Sequence, residues 1–146
     1  MAQRKKQTPG RHPLKGRWVA VHPELTTDPL GKQGEVGKIE SVSGADAAVA
    51  TVCFADGQAG RYMIDGLLTL YPQAVILQGL QSNDINYEDR NVVYSVLKQE
   101  VQKNKEAAIK LAMANDTTRF FCMTDCASWL DMKKEQRKNQ RKSQRR

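Results

Sequence analysis

The sequence lacks any apolar run long enough to cross a membrane. The run Ala74–Leu77 has four residues, whereas a membrane-spanning helix needs roughly 18. The first residues, Met1–Lys6, carry positive charge, but no apolar stretch follows them, so the sequence predicts no secretory signal. We therefore expect a cytoplasmic protein with no membrane contact.

Cysteine is scarce, and its three positions do not form a disulfide framework. Cys53, Cys122 and Cys126 are an odd number, which fits a reducing compartment. Cys122 and Cys126 are four residues apart and would share one face of a helix. A zinc site would need two further ligands, for which only Cys53, His12 and His22 are available. We therefore predict small buried hydrophobic residues instead of a metal site, and we expect no cofactor.

Recognisable catalytic motifs are also missing. Neither histidine has a serine or cysteine partner at a spacing typical of nucleophilic catalysis, and the glycine patterns of nucleotide-binding loops do not occur. Carboxylates at predicted turns and exposed strand positions leave a paired acid/base site open, although solvated turn carboxylates are much commoner. These residues are Glu35, Glu40, Asp56 and Asp65. We therefore expect a protein that is not an enzyme.

Positive charge is concentrated at the two ends of the chain. The net charge is +7, yet residues 1–17 carry six basic residues and no acid, and residues 133–146 carry eight basic residues and one acid. The segment between them, residues 18–132, therefore has a net charge of −6. Blocks of like charge repel themselves and often act as nucleic-acid arms. The sequence thus predicts a mildly acidic body with basic disordered arms at residues 1–15 and 133–146.

Five short β-favouring segments follow one another in the first half of the chain. Strands are expected at residues 17–21, 36–42, 48–54, 61–64 and 67–71. Gly34 and Gly37 introduce the second strand, and the turn sequences Asp56-Gly57 and Asp65-Gly66 separate the later ones. Five strands within about 55 residues are typical of a small barrel, so we predict a β-barrel domain over residues 16–72.

Residues 16–71 resemble an SH3-like barrel with a KOW-type motif, a valine-bearing strand followed by a glycine loop and Gly-x-(apolar)-x-x-Val. The matching positions are Val19, Val21, Gly34, Gly37, Ile39 and Val42. The resemblance implies an SH3-like fold and an RNA-binding role such as that of ribosomal and transcription-factor domains, although related barrels bind peptides or proteins. The chain departs from the RNA binders in its long first loop, which contains Glu24 and Asp28, and in its few basic barrel residues.

The second half of the chain has helical periodicity. Residues 73–85 are expected to be a linker whose apolar side chains dock on the body. From the predicted N-cap Asn86 to about residue 114 the chain has no glycine or proline, which predicts one helix of about 28 residues. Apolar residues recur there at three- to four-residue spacing, at Tyr94, Leu97, Val101, Ala108 and Leu111. Such a narrow stripe needs a partner, so we predict a helical hairpin over residues 86–132, or two helices that wrap the barrel.

The candidate phosphate-binding residues are the cations of the two arms and those near the glycine loop. They are Arg4, Lys5, Lys6, Arg11, Lys15, Arg17, Lys32, Lys38, Lys133, Lys134, Arg137, Lys138, Arg141, Lys142, Arg145 and Arg146. The two loop glycines either let the loop present Lys32 and Lys38 to a phosphate or permit a tight turn, which is the commoner role. Trp18 and Tyr62 are candidates for stacking on a base, with core packing as the alternative.

These patterns together predict an α+β protein in which a small SH3-like barrel precedes a helical hairpin, with a basic disordered arm at each end. The basic arms favour a non-catalytic, nucleic-acid-associated function. RNA is favoured over DNA because the KOW-like loop lies beside the arms, and a ribosome-associated setting is one expectation. The alternative is a protein–protein adaptor that uses the barrel or the helical stripe to bind a protein partner or to form a homodimer.

Overall fold

The structure, a computed structural model, describes residues 12–28, 30–44, 48–82 and 85–144. Within these residues the protein is α+β, with a six-stranded antiparallel sheet and five α-helices. The strands are β1 (Trp18–Val21), β2 (Val36–Ser43), β3 (Val49–Phe54), β4 (Ala59–Met63), β5 (Leu67–Leu70) and β6 (Met123–Asp125). The helices are α1 (Gln73–Ser82), α2 (Tyr87–Val101), α3 (Lys105–Ala112), α4 (Asp116–Cys122) and α5 (Cys126–Gln144).

The five strands predicted in the first half of the chain are confirmed. The strand order is β4-β3-β2-β1-β5-β6, and each neighbouring pair is antiparallel. A single 3₁₀ turn, Ile64–Gly66, connects β4 to β5. Within the described residues the sheet is open, because β4 and β6 stand at its two ends and do not pair. The sequence predicts a closed barrel, but β6 occupies the free edge of β5 that a closing strand would need.

Two hydrophobic cores lie on opposite faces of the sheet. Neighbouring residues of a strand point to opposite faces, and β1 and β5 are apolar on both. One core includes Val19, Val21, Leu67, Cys126 and Trp129, and the other includes Ala20, Leu68, Leu70, Ile76, Val96 and Ile109. Helix α5 therefore covers one face, while residues of α1, α2 and α3 contribute to the core on the other.

The single helix predicted from residue 86 to about residue 114 is wrong, because the chain leaves the helix between α2 and α3. Lys103 has a positive φ of 64°, a conformation that L-residues with a Cβ adopt at a cost. The side chain of the next residue, Asn104, accepts a hydrogen bond from the Ala107 N–H at 3.3 Å and caps α3. Asparagine favours such a cap over a helix interior, so it stops one helix and starts another.

The break also changes which face of α2 is buried. Val93, Val96 and Glu100 are buried, whereas Tyr94 and Val101 are 51% and 71% exposed. The predicted stripe assumed one continuous helix through residue 111. Once α3 has its own direction, the two halves of that stripe no longer share a face.

The segment after α3 contains a strand that the sequence patterns did not predict. Cys122 ends α4 and Cys126 begins α5, with β6 between them, so the two cysteines do not share one helix face. Residues 86–132 are therefore three helices, a strand and the start of a fourth helix. Both thiols are buried, and burial raises the pKa of each to about 12.

Two segments expected to lack regular structure are helical. Residues 73–85, the predicted linker, contain α1, whose Ile76 and Leu80 are buried against the body as expected. The backbone of the predicted C-terminal arm is helical as far as Gln144. It continues α5 without a glycine or proline, and lysine, arginine and glutamine are good helix formers.

We predict that Lys103→Gly stabilises the protein by about 1 kcal/mol, because glycine adopts a positive φ without the steric cost of a Cβ. Lys98→Gly is the matched control, since it removes the same charge from the helical part of α2 and should cost about 1 kcal/mol. Urea denaturation of both variants measures the two changes. A loss of stability in Lys103→Gly would contradict the assigned break.

Candidate nucleic-acid interface

Arg17 joins three elements at the start of β1. Its Nε donates a hydrogen bond to Thr69 Oγ1 at 2.7 Å, and its Nη2 donates to the Leu70 carbonyl oxygen at 3.0 Å. Its guanidinium carbon lies 4.0 Å from the centre of the Trp129 ring, a cation–π contact. Burial lowers the pKa of the guanidinium, while the negative charge of Glu100 acts in the opposite direction. Arg17 is therefore a structural residue and not a free phosphate contact.

Trp129 holds the basic helix against the sheet. Its side chain is buried in the core with Val19, Leu67 and Cys126. On α5, four residues further along, the Lys133 Nζ lies 5.4 Å from the centre of the same ring that contacts Arg17. The strand before α5 is paired with β5, and Asp125 accepts hydrogen bonds from the N–H and hydroxyl of Ser128. The cationic part of α5 is thus attached to the sheet without an intervening loop.

The described parts of the two basic ends lie near each other. Burial lowers the pKa of His12, and the positive charge of nearby Lys134 lowers it further. Lys15 is exposed between His12 and Arg17. Lys133 and Lys134 on α5 therefore lie near the segment that leads into β1. The sequence predicted two basic ends, but it carried no information on their proximity.

The basic residues of α5 follow a helical pattern. Positions 133, 137 and 141 form one row at four-residue spacing, and positions 134, 138 and 142 form the adjacent row. All six are lysine or arginine, namely Lys133, Lys134, Arg137, Lys138, Arg141 and Lys142. The remaining positions of residues 133–144 hold Glu135, Gln136, Asn139, Gln140, Ser143 and Gln144. With 3.6 residues per turn, this sequence spacing favours a basic side and a mostly uncharged side of the helix; the side chains from residue 137 onward lie outside the described part of the chain.

The glycine loop does not present its lysines as a pair. Lys32 is buried and forms ion pairs with Asp56 and with Glu35, the latter at 3.6 Å. The hydrogen bond to Asp56 raises the pKa of Lys32 and lowers that of Asp56. Gly34 has a φ of 80° and donates its N–H to the Val21 carbonyl at 2.9 Å, so it serves the turn. The loop surroundings are acidic, which removes Lys32 from the phosphate-binding candidates.

The two stacking candidates have different environments. Tyr62 is 4% exposed and packs edge-on against Phe54, and its hydroxyl donates to Asp28 Oδ1 at 2.9 Å. Burial raises the pKa of Tyr62, and the hydrogen bond to Asp28 raises it further. Tyr62 is therefore a core residue with no face available to a base. Trp18 is half-buried, and the Nζ of the exposed Lys38 lies 5.7 Å from its ring centre.

A small cavity opens between the sheet and helices α2 and α3. It has a volume of about 160 Å³ and is lined by Gly16, Arg17, Trp18, Thr69, Leu70, Glu100, Lys105 and Ile109. Glu100 is buried, and its Oε2 accepts a hydrogen bond from Lys105 Nζ at 2.9 Å. Sequence reasoning missed Glu100, Lys105 and Trp129. The one available signal was an acid, Glu100, between positions of the apolar pattern of α2.

The remaining predicted cations can be placed only in part. Arg4, Lys5, Lys6, Arg11, Arg145 and Arg146 lie outside the described residues, and for Arg137, Lys138, Arg141 and Lys142 only the helical backbone is described. Within the described ranges no group of three histidine, cysteine, aspartate or glutamate side chains is arranged to hold a metal ion. None of the helices described is long and apolar enough to cross a membrane.

The chain matches no protein-family model, no curated protein and no solved structure.

We predict that Arg17→Met lowers the free energy of unfolding by about 2–4 kcal/mol, because it removes two charge-assisted hydrogen bonds and a cation–π contact. Lys15→Met, an exposed neighbour with the same charge change, should stay within about 0.5 kcal/mol of the wild type. Arg17→Lys should not restore stability, because an ammonium group lacks the planar fork. Equal stability of the two methionine variants, measured by denaturant titration, would show that Arg17 has no anchoring role.

Proposed function

We propose that this protein is a non-catalytic, cytoplasmic RNA-binding protein that holds the phosphate backbone with the basic side of α5 and the adjoining start of β1. The observation that carries the proposal is that a helical backbone spans six cations whose sequence spacing is that of two adjacent helical rows. Sequence-independent affinity for nucleic acid comes mainly from such lysine and arginine contacts with phosphate. The exposed cations Lys15 and Lys38 extend the positive surface towards Trp18.

The charge of the rest of the protein supports α5 as the contact surface. Residues 18–132 have a net charge of −6, and the glycine loop surrounds its lysine with carboxylates. A polyanion is repelled by such a body and attracted to the basic end. The backbone of RNA should therefore meet α5 first and be kept away from the carboxylates Glu35 and Asp56 around Lys32.

The preference for RNA over DNA rests on the SH3-like resemblance. In the order β4-β3-β2-β1-β5, the fifth strand returns to pair with the first and a 3₁₀ turn precedes it, which supports an SH3-like arrangement of these strands. Trp18 remains a stacking candidate for an unpaired base. A ribosome-associated setting is part of the same proposal, because a large structured RNA offers many phosphates to a basic helix.

We predict that replacing Lys134, Arg137, Lys138 and Arg141 with glutamine weakens binding to a fluorescently labelled uridine decamer. Glutamine preserves helix propensity, so the change acts on charge. The slope of log affinity against log salt should fall by about 0.7 for each phosphate that the variant no longer neutralises. Anisotropy titrations over a salt series measure both effects.

The matched control for this experiment removes four exposed cations from the body. Arg61, Lys98, Lys103 and Lys110 are all exposed, and their replacement with glutamine changes the net charge equally. The control variant should keep most of the affinity and of the salt slope. Equal losses in both variants would reduce the effect to net charge and reject α5 as the contact surface. A parallel titration with DNA of the same length tests the preference for RNA.

A protein–protein adaptor is the second candidate function, and an exposed stripe on α2 favours it. Tyr87, Tyr94 and Val101 are 77%, 51% and 71% exposed. They are seven residues apart, so they lie along one side of the helix, as in helices that pair. Exposed apolar patches on a folded body often mark interaction surfaces. This stripe could bind a partner helix or a second copy of the chain.

If α2 mediates self-association, we predict that the wild type is a dimer and that Tyr94→Ser with Val101→Ser makes it monomeric. The serines remove exposed apolar surface and leave the buried face of α2 intact, so the fold should persist. Light scattering gives the mass, and the 260/280 nm absorbance ratio before and after a high-salt wash reports co-purified nucleic acid. A nucleic-acid-free monomeric wild type would contradict the dimer.

A further inference from the structure

The cavity beside Arg17 contains an incompletely satisfied carboxylate. The Glu100 side chain is 5% exposed, its Oε2 is bound by Lys105, and its Oε1 has no hydrogen-bond partner among the described residues. Native structures rarely leave a buried polar atom unpaired, because the missing partner costs free energy. Rotation about the last torsion of a glutamate is broad, so either oxygen can turn towards a donor that enters the cavity.

The size of the cavity limits what that donor can belong to. A volume of about 160 Å³ exceeds the share of liquid taken by one water, roughly 30 Å³. It is smaller than the roughly 300–1,000 Å³ of pockets that enclose whole drug-sized ligands. The cavity therefore suits one ring-sized group and not an entire nucleotide.

The lining residues specify the chemistry of this group. Glu100 offers an acceptor, Lys105 offers positive charge and N–H donors, and Trp18 contributes an aromatic side chain to the lining. A matching group is flat and carries N–H donors next to a carbonyl oxygen. Among the RNA bases, guanine has two adjacent N–H donors, N1 and N2, beside its O6. Uracil has one N–H between two carbonyls and matches a carboxylate less well.

We propose that this cavity binds a single unstacked base of RNA, with guanine preferred, and that Glu100 accepts hydrogen bonds from its N–H groups. The inference rests on the proposed RNA-binding function and extends it to a specificity site. Proteins commonly read single-stranded RNA in this way, by stacking and by contacts with the Watson–Crick edge. Lys38, which lies over the Trp18 ring, is suitably placed to meet a phosphate next to the captured base.

The test compares a uridine decamer with the same decamer carrying one central guanosine. The wild type should bind the guanosine-containing decamer about tenfold more tightly, the lower part of the range for a bidentate base contact. Glu100→Gln should abolish this preference, so that the two decamers bind the variant with equal affinity. Glu106→Gln, which removes the same charge from a more exposed position nearby, should retain the preference.

Three outcomes would separate the inference from the function on which it rests. Equal wild-type affinity for the two decamers would overturn the guanine site and leave backbone binding intact. Retention of the preference in a folded Glu100→Gln would overturn the role of Glu100. Failure to bind either decamer would reject the RNA-binding function.

A titration without any variant keeps the site testable if Glu100→Gln does not fold. Free guanosine added to the wild type should shift the NMR signals of the Trp18 indole and of the Gly16 and Lys105 amides, and uridine should shift them less. Absence of these shifts at millimolar guanosine would overturn the inference and leave the cavity as a site for water only.

Discussion

The buried guanidinium of Arg17 is the contact on which the arrangement of this protein depends. It is hydrogen-bonded to the end of β5 and packed on the Trp129 ring of α5, and it forms one wall of the cavity. An arginine supports all of these contacts at once, because its planar fork donates in the plane and stacks above it. The first strand, the last helix and the cavity are therefore coupled through one side chain. A substitution of Arg17 should therefore alter the packing of the strand, the helix and the cavity together.

The strands could be read from the sequence, whereas the helical half could be read only in part. The strands alternate or lie between turn formers, so β2 and β3 are visible within one or two residues. No glycine or proline marks the helix break at Lys103. In the sequence Asn104 is only a polar residue within an apolar pattern, and the structure is needed to show that it caps α3. Strand β6 has three residues and exists only because the edge of β5 receives it. Such pairing depends on tertiary contacts and cannot be predicted from the local sequence.

The candidate site was predictable in charge but not in geometry. Net charge identified α5 as basic, yet it also included Lys32, whose charge is neutralised by nearby carboxylates. It counted Arg17 as a surface cation, although that residue is engaged with Thr69 and Trp129. Conversely, Glu100 is buried although glutamate is seldom buried in proteins, and the sequence pattern alone does not reveal this burial. Charge counts identify where a polyanion is attracted, and contacts decide which residues remain free to meet it.

The direct junction between β6 and α5 has a thermodynamic consequence. A helix of 19 residues is about 28 Å long at a rise of about 1.5 Å per residue, and here it begins at the strand itself. A disordered cationic tail loses conformational entropy when it binds a nucleic-acid strand, and this loss lowers its affinity. A helix that is attached to the sheet at its first residue has less conformational entropy to lose on binding. Under the proposed RNA-binding function, the affinity of α5 should therefore depend on the spacing of the charges along the ligand and not only on their number.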